Sequence, residues 1–538
     1  MSLHHLQHIA ELGPLLKRHG ATHVVIAPGS RNAPLTQLFT ADKGFECHSI
    51  VDERSAGYVA LGMAQQLGEP VIVLTTSGTA VLNLSPAIAE AFHQRVPLLI
   101  LTADRPREIL SQFNNQVIDQ RAPYFNHSKG FFEFAAEVRS HEELEKGMEC
   151  VEKLLMEALQ QAKGPVHLNL PLTEPLYVPL PSPELSQEEA LASLVQSSPP
   201  SSLSAANLSG KKILILAGMG KAHEELRFIL EQIVLSKQAV VVAENISNLA
   251  SEQFISTPEL LLSGVSDDER EALKPDLVIA FGQQVVSKRM KLFVQSLDKA
   301  EFTELPEDGN AATMLKELVG SKGEDNSYGE KWKELEGREQ KRSAAYLSDA
   351  PFGSLSALGR ILDAAPDGSV VHLGNSSTIR FSQLLPSRPD LIYSANRGTS
   401  GIDGSVSTAV GAAMVSEQQH LLVLGDLSFV YDSNALWNKD FPENLKIVVI
   451  NDGGGGIFRL LEGPGRMAFF EEFSITQHPV SIELLSGAFG RGYGRASDFN
   501  ELDIQLHGFF TPGKDKAVLE VDCTASDNSR IFKELFNK

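Results

Sequence analysis

The feature that most restricts the fold is a recurrence of short, almost uninterrupted Val/Ile/Leu runs. THVVIA, ECHSIV, PVIVLTT and PLLILTA occur early. KKILILAG, AVVVAEN and PDLVIAFG occur in the middle, and SVVHLG, DLIYSA, HLLVLGD, KIVVIND and AVLEVD late. A strand apolar at nearly every position has both faces covered, which is the condition of a parallel sheet packed between helices. Between the runs, apolar residues recur at helical spacing, as in Leu3, Leu6, Ile9, Leu12, Leu15 and Leu16. That pattern predicts a helix to about Arg18, stopped by Gly20 and kinked or split by Gly13-Pro14. Residues 54–67 read as helical, and so do 81–94 despite Pro86. His4, His5 and His8 read as an exposed helix face rather than a metal site. The fold class expected is α/β, each domain a mostly parallel sheet flanked by helices.

A chain of 538 residues has room for about three such domains. The Ser/Pro-rich stretch 181–210 reads as a linker between an α/β block at 1–180 and a central α/β block at 211–335. Residues 320–342 are charged and partly helical, and lead into a third block at 336–538 that is similar in size and layout to the first. Lys plus Arg is 47 against 68 Asp plus Glu, a net charge of −21. That excess argues against nucleic acid or an anionic membrane surface as partner. It leaves an anionic small molecule open, because a few arginines can reverse the sign inside one cleft. Three scattered cysteines, Cys47, Cys150 and Cys523, fit neither a disulfide framework nor a structural zinc site. The N-terminal residues lack signal-peptide character, and no apolar run reaches membrane-span length. A cytoplasmic protein is expected.

The strongest chemical signal lies in the third block. One strand ends in Gly425-Asp426, and the next ends in Asn451-Asp452 followed by Gly453-Gly454-Gly455-Gly456. In a parallel sheet both acidic ends emerge on the side where ligands bind. Carboxylates with a glycine carbonyl are hard oxygen ligands for a divalent cation, and the glycines let backbone approach a phosphate. Ala217-Gly218-Met219-Gly220 reads as a tight turn, since it lacks the third glycine and acidic partner of a dinucleotide site.

Gly425-Asp426-Leu427-Ser428 followed by Asn451-Asp452-Gly453-Gly454 resembles the diphosphate-and-metal motif of thiamine diphosphate enzymes, with an Asp where the second Asn is expected. The three-block layout is similar to that superfamily's pyrimidine-binding (PYR), central and diphosphate-binding (PP) domains. Several further motifs occur in order: Pro28-Gly29-Ser30-Arg31-Asn32, Val51-Asp52-Glu53-Arg54, Thr75-Thr76-Ser77-Gly78-Thr79-Ala80, Leu101-Thr102-Ala103-Asp104-Arg105-Pro106, Gly374-Asn375-Ser376, Asn396-Arg397-Gly398-Thr399-Ser400-Gly401-Ile402-Asp403-Gly404 and Gly456-Ile457-Phe458. Together they resemble the SEPHCHC synthases (the MenD family) of menaquinone biosynthesis over nearly the whole chain, most weakly in the middle block.

The resemblance implies a transferase that uses thiamine diphosphate with Mg²⁺ or Mn²⁺. In that family 2-oxoglutarate is decarboxylated, and the succinyl-semialdehyde equivalent adds 1,4 to isochorismate. Glu53 matches the carboxyl that hydrogen-bonds the aminopyrimidine ring and favours its imino tautomer; a carboxyl facing an apolar pocket has the raised pKa such a relay requires. The implied cofactor contacts are Glu53, Ser77, Gly78, Ile402, Gly425, Asp426, Leu427, Ser428, Asp452, Ile457 and Phe458. The implied metal ligands are Asp426, Asp452 and Gly454, with a one-residue slip to Asn451 and Gly453 as the alternative. Both substrates are dicarboxylates, which Arg suits. Ser30, Arg31, Arg105, Asn115, Gln116, Lys288, Ser376, Arg380 and Arg397 match the substrate site. A homodimer or homotetramer is implied, with sites shared between chains. Asn114-Asn115-Gln116 stands where many simple thiamine diphosphate decarboxylases carry a His-His pair. The alternative is another carboligase of the acetolactate synthase kind, using smaller 2-oxo acids and often a flavin.

Overall fold

A computed structural model describes residues 3–107, 116–160, 162–185, 210–237, 239–305, 310–319, 327–460, 463–511 and 516–536. The chain forms two compact units. The first comprises 1–196, 396–417 and 432–443. The second comprises 197–395, 418–431 and 444–538.

The first unit is built on β1 (His23–Ile26), β2 (Glu46–Ser49), β3 (Val71–Thr75), β4 (Leu98–Asp104), β5 (Gly130–Glu133) and β6 (Val166–Pro171). They form one sheet in the order β2-β1-β3-β4-β6-β5, every neighbouring pair parallel. The second unit holds two sheets. β7 (Ile213–Ala217), β8 (Ala239–Ala243), β9 (Leu277–Phe281) and β10 (Glu301–Glu304) run β10-β9-β7-β8. β11 (Val370–Leu373), β12 (Ile392–Ser394), β13 (His420–Gly425), β14 (Leu445–Asn451), β15 (Gly492–Ala496) and β16 (Lys516–Asp522) run β12-β11-β13-β14-β16-β15. These sheets too are parallel throughout. The six-stranded sheets share one strand order, which gives physical content to the similar layout of the first and third blocks.

Four strands were not legible as apolar runs. β5, β10 and β15 are edge strands with partly exposed side chains. β6 is fully buried but carries His167 and Asn169, whose Nε2 and Oδ1 meet the Thr102 hydroxyl across the sheet at 2.7 and 2.8 Å. The first helix, Gln7–Arg18, runs through Pro14 rather than splitting there. The stretch expected as one helix at 81–94 is instead two, Thr79–Asn83 and Ser85–His93. Pro86, lacking an N–H, sits in the first turn of the second, where none is needed. His8 does not belong to an exposed face: it is buried against Phe134, and burial lowers its pKa to about 4. The linker stretch 186–209 lies outside the described residues.

In the first unit the helix Glu53–Leu67 packs on the helix Ser405–Met414 at backbone distance. A Cβ on Gly62 would lie 2.0 Å from the Thr408 carbonyl oxygen, and one on Gly411 equally close to the Val59 carbonyl oxygen. Ser55 Oγ meets Ser407 Oγ at 2.9 Å, and Asp432 accepts from the Ser407 N–H and hydroxyl at 2.6 and 2.7 Å. The helix that begins with Glu53 is thereby locked in place. Gly62→Ala gains up to about 1 kcal/mol of helix propensity, but its methyl meets backbone that cannot rotate away. We expect a net loss of about 1–3 kcal/mol, read as a lower urea midpoint. An unchanged midpoint would show that the crossing has slack.

Candidate active site

The last sheet reverses its strand order between β11 and β13, where loops leaving neighbouring carboxyl ends open a crevice. β11 leaves past Gly374, where a Cβ would fall 2.6 Å from the Leu424 Cβ. The chain then turns sharply at Ser376 (φ 78°) into the short helix Ser377–Ser382. A non-glycine residue held there costs on the order of 1–3 kcal/mol, which is typical of functional turns. Arg380, exposed, donates to the Ser376 carbonyl at 3.3 Å.

β13 delivers Asp426 as the first residue of the helix Asp426–Tyr431, only 1% exposed. Gly425 pairs with Ile450, so Asn451 and Asp452 leave the adjacent strand at the same level. Their side chains diverge. Asn451 Nδ2 donates to Glu520 Oε1 on β16 at 2.7 Å. The Asp452 carboxylate lies over Gly456, where a Cβ would meet its Oδ2 at 2.0 Å. Burial, then the charge of Asp426, pushes the Asp452 carboxyl up to about 7, and burial raises Asp426 too. Asp426 Oδ2 accepts from the Gly454 N–H at 2.8 Å and lies 3.2 Å from His478 Nε2. Among the described residues neither carboxylate is bridged by Lys or Arg. Two mutually repelling carboxylates, met only by His478 and the charge of Arg459, suit a hard divalent cation. The Gly454 carbonyl is a third oxygen close by, at a φ of 127° that only glycine adopts readily. Nothing lies within 4 Å of a Cβ built on Gly425, so an anionic group has room to approach that backbone. Ser428 and Ile457 are buried, Leu427 is half-buried and Phe458 is exposed.

The first unit carries the other predicted residues. Glu53 opens its helix half-buried, and Asp52 caps that helix by accepting from the Arg54 and Ser55 N–H groups. The loop after β1 rests on the loop after β3: a Cβ on Gly29 would lie 2.3 Å from Thr76 Cβ. Gly78 (φ 88°) lies against the Gln116 backbone, where a Cβ would meet it at about 3.2–3.3 Å, and its N–H donates to Gln120 Oε1 at 3.0 Å. The Ser77 hydroxyl is buried without a hydrogen-bond partner. Arg31 is buried and donates to the Leu172 carbonyl and, at 3.3 Å, to Glu174. Burial and the adjacent Arg105 charge lower the Arg31 pKa. Arg105 Nε is buried without a partner. A buried guanidinium that feels the charge of a second one with an unused N–H suits a carboxylate ligand. Ser30 is exposed at the start of the same loop.

Arg397 is buried and Ile402 half-buried, on a segment of the first unit held by Glu90. That carboxylate accepts from the Gly398 N–H, the Thr399 N–H and the Thr399 hydroxyl at 2.7, 2.6 and 2.5 Å. Lys288 begins the helix Lys288–Gln295 in the second unit and is exposed. Its neighbours Ser287 and Arg289 bind Glu259, the carboxylate whose charge also acts on Arg380. Asn115 lies outside the described residues. Sequence reasoning missed Glu90, Gln120, His478 and Glu520. Each is distant in sequence from the group it holds, and none sits in a glycine-rich or strand-end motif.

The family model for the N-terminal TPP binding domain of thiamine pyrophosphate enzymes matches residues 11–122. The chain is 39% identical to a 2-succinyl-5-enolpyruvyl-6-hydroxy-3-cyclohexene-1-carboxylate synthase of Desulfotalea psychrophila, covering 94% of this chain and 95% of that protein. It is 35% identical to the synthase of the same description from Flavobacterium johnsoniae (96% of each chain) and 33% identical to that of Cytophaga hutchinsonii (98% of each).

The divergence of Asn451 and Asp452 generates a specific expectation. Asp452→Ala removes a carboxylate from the candidate cation site, whereas Asn451→Ala removes a hydrogen bond to Glu520. In a Mg²⁺ titration at fixed thiamine diphosphate, Asp452→Ala should weaken metal-dependent cofactor binding far more than Asn451→Ala. The reverse order would assign the site to Asn451 and Gly453.

Proposed function

The chain belongs to the family of 2-succinyl-5-enolpyruvyl-6-hydroxy-3-cyclohexene-1-carboxylate (SEPHCHC) synthases, and from that membership we propose how its residues divide the work. It is a thiamine diphosphate-dependent enzyme of menaquinone biosynthesis, taking 2-oxoglutarate and isochorismate. Bound thiamine diphosphate supplies the electron sink for loss of carbon dioxide and for the new carbon–carbon bond. Asp426, Asp452 and the Gly454 carbonyl would hold the Mg²⁺ or Mn²⁺ that binds with the cofactor's diphosphate; two mutually repelling carboxylates that no Lys or Arg bridges among the described residues are the observation that carries this reading. Gly425, Leu427, Ser428, Ile457 and Phe458 line the same diphosphate region.

Glu53, steadied by the helix crossing behind it, would hold a proton at a ring nitrogen of the aminopyrimidine. Ser77 and Gly78 would line that ring, and Ile402 would support the cofactor from the segment that Glu90 fastens. Arg31 and Arg105 grip substrate carboxylates, with Ser30, Asn115, Gln116, Ser376, Arg380, Arg397 and Lys288 completing the substrate site. The three sheets support a division into a PYR domain (1–180), a linker (181–210), a central domain (211–335) and a PP domain (336–538). From the family membership we propose that the working enzyme is a homodimer or homotetramer whose sites are shared between chains. None of the described helices is long and apolar enough to cross a membrane; we place the enzyme in the cytoplasm.

The direct test is mass spectrometry of the product formed from 2-oxoglutarate and isochorismate with Mg²⁺ and thiamine diphosphate. SEPHCHC is expected; an acetolactate-type product from smaller 2-oxo acids, with no turnover of isochorismate, would overturn the assignment. Glu53→Gln keeps the side-chain shape but loses the ionisable group. General acid–base assistance is worth about 10²–10⁴-fold, and we expect kcat to fall by that order with the fold intact. Near-normal turnover at saturating cofactor would remove Glu53 from the relay. Arg105→Ala deletes a charge-assisted contact worth about 1.5–3 kcal/mol. It should lower kcat/KM for the dicarboxylates by about tenfold to over a hundredfold while cofactor affinity stays nearly constant. Lost cofactor binding with unchanged substrate use would move Arg105 to the cofactor site.

A further inference from the structure

We propose that His23, Glu46 and His48 form a second metal site, suited to a borderline transition-metal ion such as Zn²⁺, on the outer edge of the first sheet. β2 is the outermost strand of that sheet, and His23 of β1 pairs in register with Glu46 of β2. His48, two residues further along β2, points to the same face as Glu46. One donor atom from each of the three lies within 4.8 Å of the others. His48 Nε2 is 3.4 Å from Glu46 Oε1, and His23 Nδ1 is 3.8 Å from Glu46 Oε2. Bonds of about 2.0–2.1 Å in tetrahedral geometry place donors roughly 3.3 Å apart, so side-chain adjustment alone closes the set.

An ordinary surface ion pair does not account for the burial. His48 is 9% exposed, and His48 Nε2 and His23 Nδ1 are both buried without a hydrogen-bond partner. Two imidazole nitrogens turned toward one carboxylate and left unsatisfied are what a ligand set looks like without its ion. Burial keeps His48 below the usual histidine range, so the imidazole is neutral and its lone pair is free to ligate. The other nitrogen, His48 Nδ1, lies 3.8 Å from Asp440 Oδ2. A carboxylate behind a ligating histidine orients the ring and raises its basicity. Glu46 is exposed, which leaves the ion an entry path and open positions for water. Imidazole donors separate this site from the all-oxygen Asp426–Asp452 pair, which favours Mg²⁺. The ion would fasten the edge strand to β1 on the strand that leads into Glu53.

The test uses the full-length protein with saturating Mg²⁺ and thiamine diphosphate, so that the oxygen site is occupied. Zn²⁺ is titrated against a chromogenic chelator, and Co²⁺ reports ligand geometry by visible absorption. We expect one further equivalent of Zn²⁺, a low-symmetry Co²⁺ spectrum, and a rise in thermal midpoint on adding Zn²⁺. Glu46→Gln, at an exposed position that does not threaten folding, should weaken binding at least tenfold. Asp440→Asn should cost about 10–100-fold, and the double variant His23→Ala/His48→Ala should abolish both binding and the thermal shift. Cys47→Ser, on the opposite face of β2, should keep them. Absence of the extra equivalent in the unaltered protein, its persistence in Glu46→Gln and the double variant, or its loss in Cys47→Ser alone would overturn the proposal.

Discussion

The mutually repelling carboxylates Asp426 and Asp452 set what the last sheet of this protein can do. Each carboxylate is brought out at the end of its own parallel strand, at the same level, and burial penalises both charges. Among the described residues no Lys or Arg bridges them; they have backbone N–H groups, His478 and the charge of Arg459 acting on Asp452. A carboxylate pair of this kind is tolerable when its charge is answered by a cation that arrives with the ligand. The first unit shows the same logic with the opposite sign. Arg31 is buried although burial and the Arg105 charge disfavour its own charge, and Arg105 Nε has no hydrogen-bond partner.

Backbone geometry keeps these charges where they are. The two six-stranded sheets use the same strand order, so each releases several loops along one edge. Glycine then decides how closely those loops pass. Gly374 slides past Leu424, and Gly454 passes the Ile475 carbonyl at a distance no side chain could share. Gly62 and Gly411 let two helices touch backbone to backbone behind Glu53. Glu90 and Asp432 then fasten the neighbouring backbone by hydrogen bonds rather than by packing. Rigid support under charged loops is the preorganisation that catalysis by positioning needs.

Most of this was legible in the residues, for identifiable reasons. Strands buried on both faces announce themselves as apolar runs, and Gly425-Asp426 with Asn451-Asp452 marked two strand ends carrying carboxylates. What could not be read depended on partners far away in the chain. β6 hid behind His167 and Asn169, whose core positions depend on Thr102 and, for Asn169, on Asp104, Gln120 and Glu133. The choice between Asn451 and Asp452 was open in the sequence; Glu520, on another strand, draws Asn451 aside. The break before Pro86 and the burial of His8 likewise follow from tertiary context that local periodicity does not contain.

The central claim is that Asp426 and Asp452 together hold the cation that anchors the cofactor. Anomalous diffraction from crystals grown with Mn²⁺ and thiamine diphosphate addresses it without relying on activity. The account predicts an anomalous peak within coordination distance of an Asp426 oxygen, an Asp452 oxygen and the Gly454 carbonyl, in contact with the diphosphate. A peak ligated by Asn451 and Gly453, with Asp452 turned away, would contradict it.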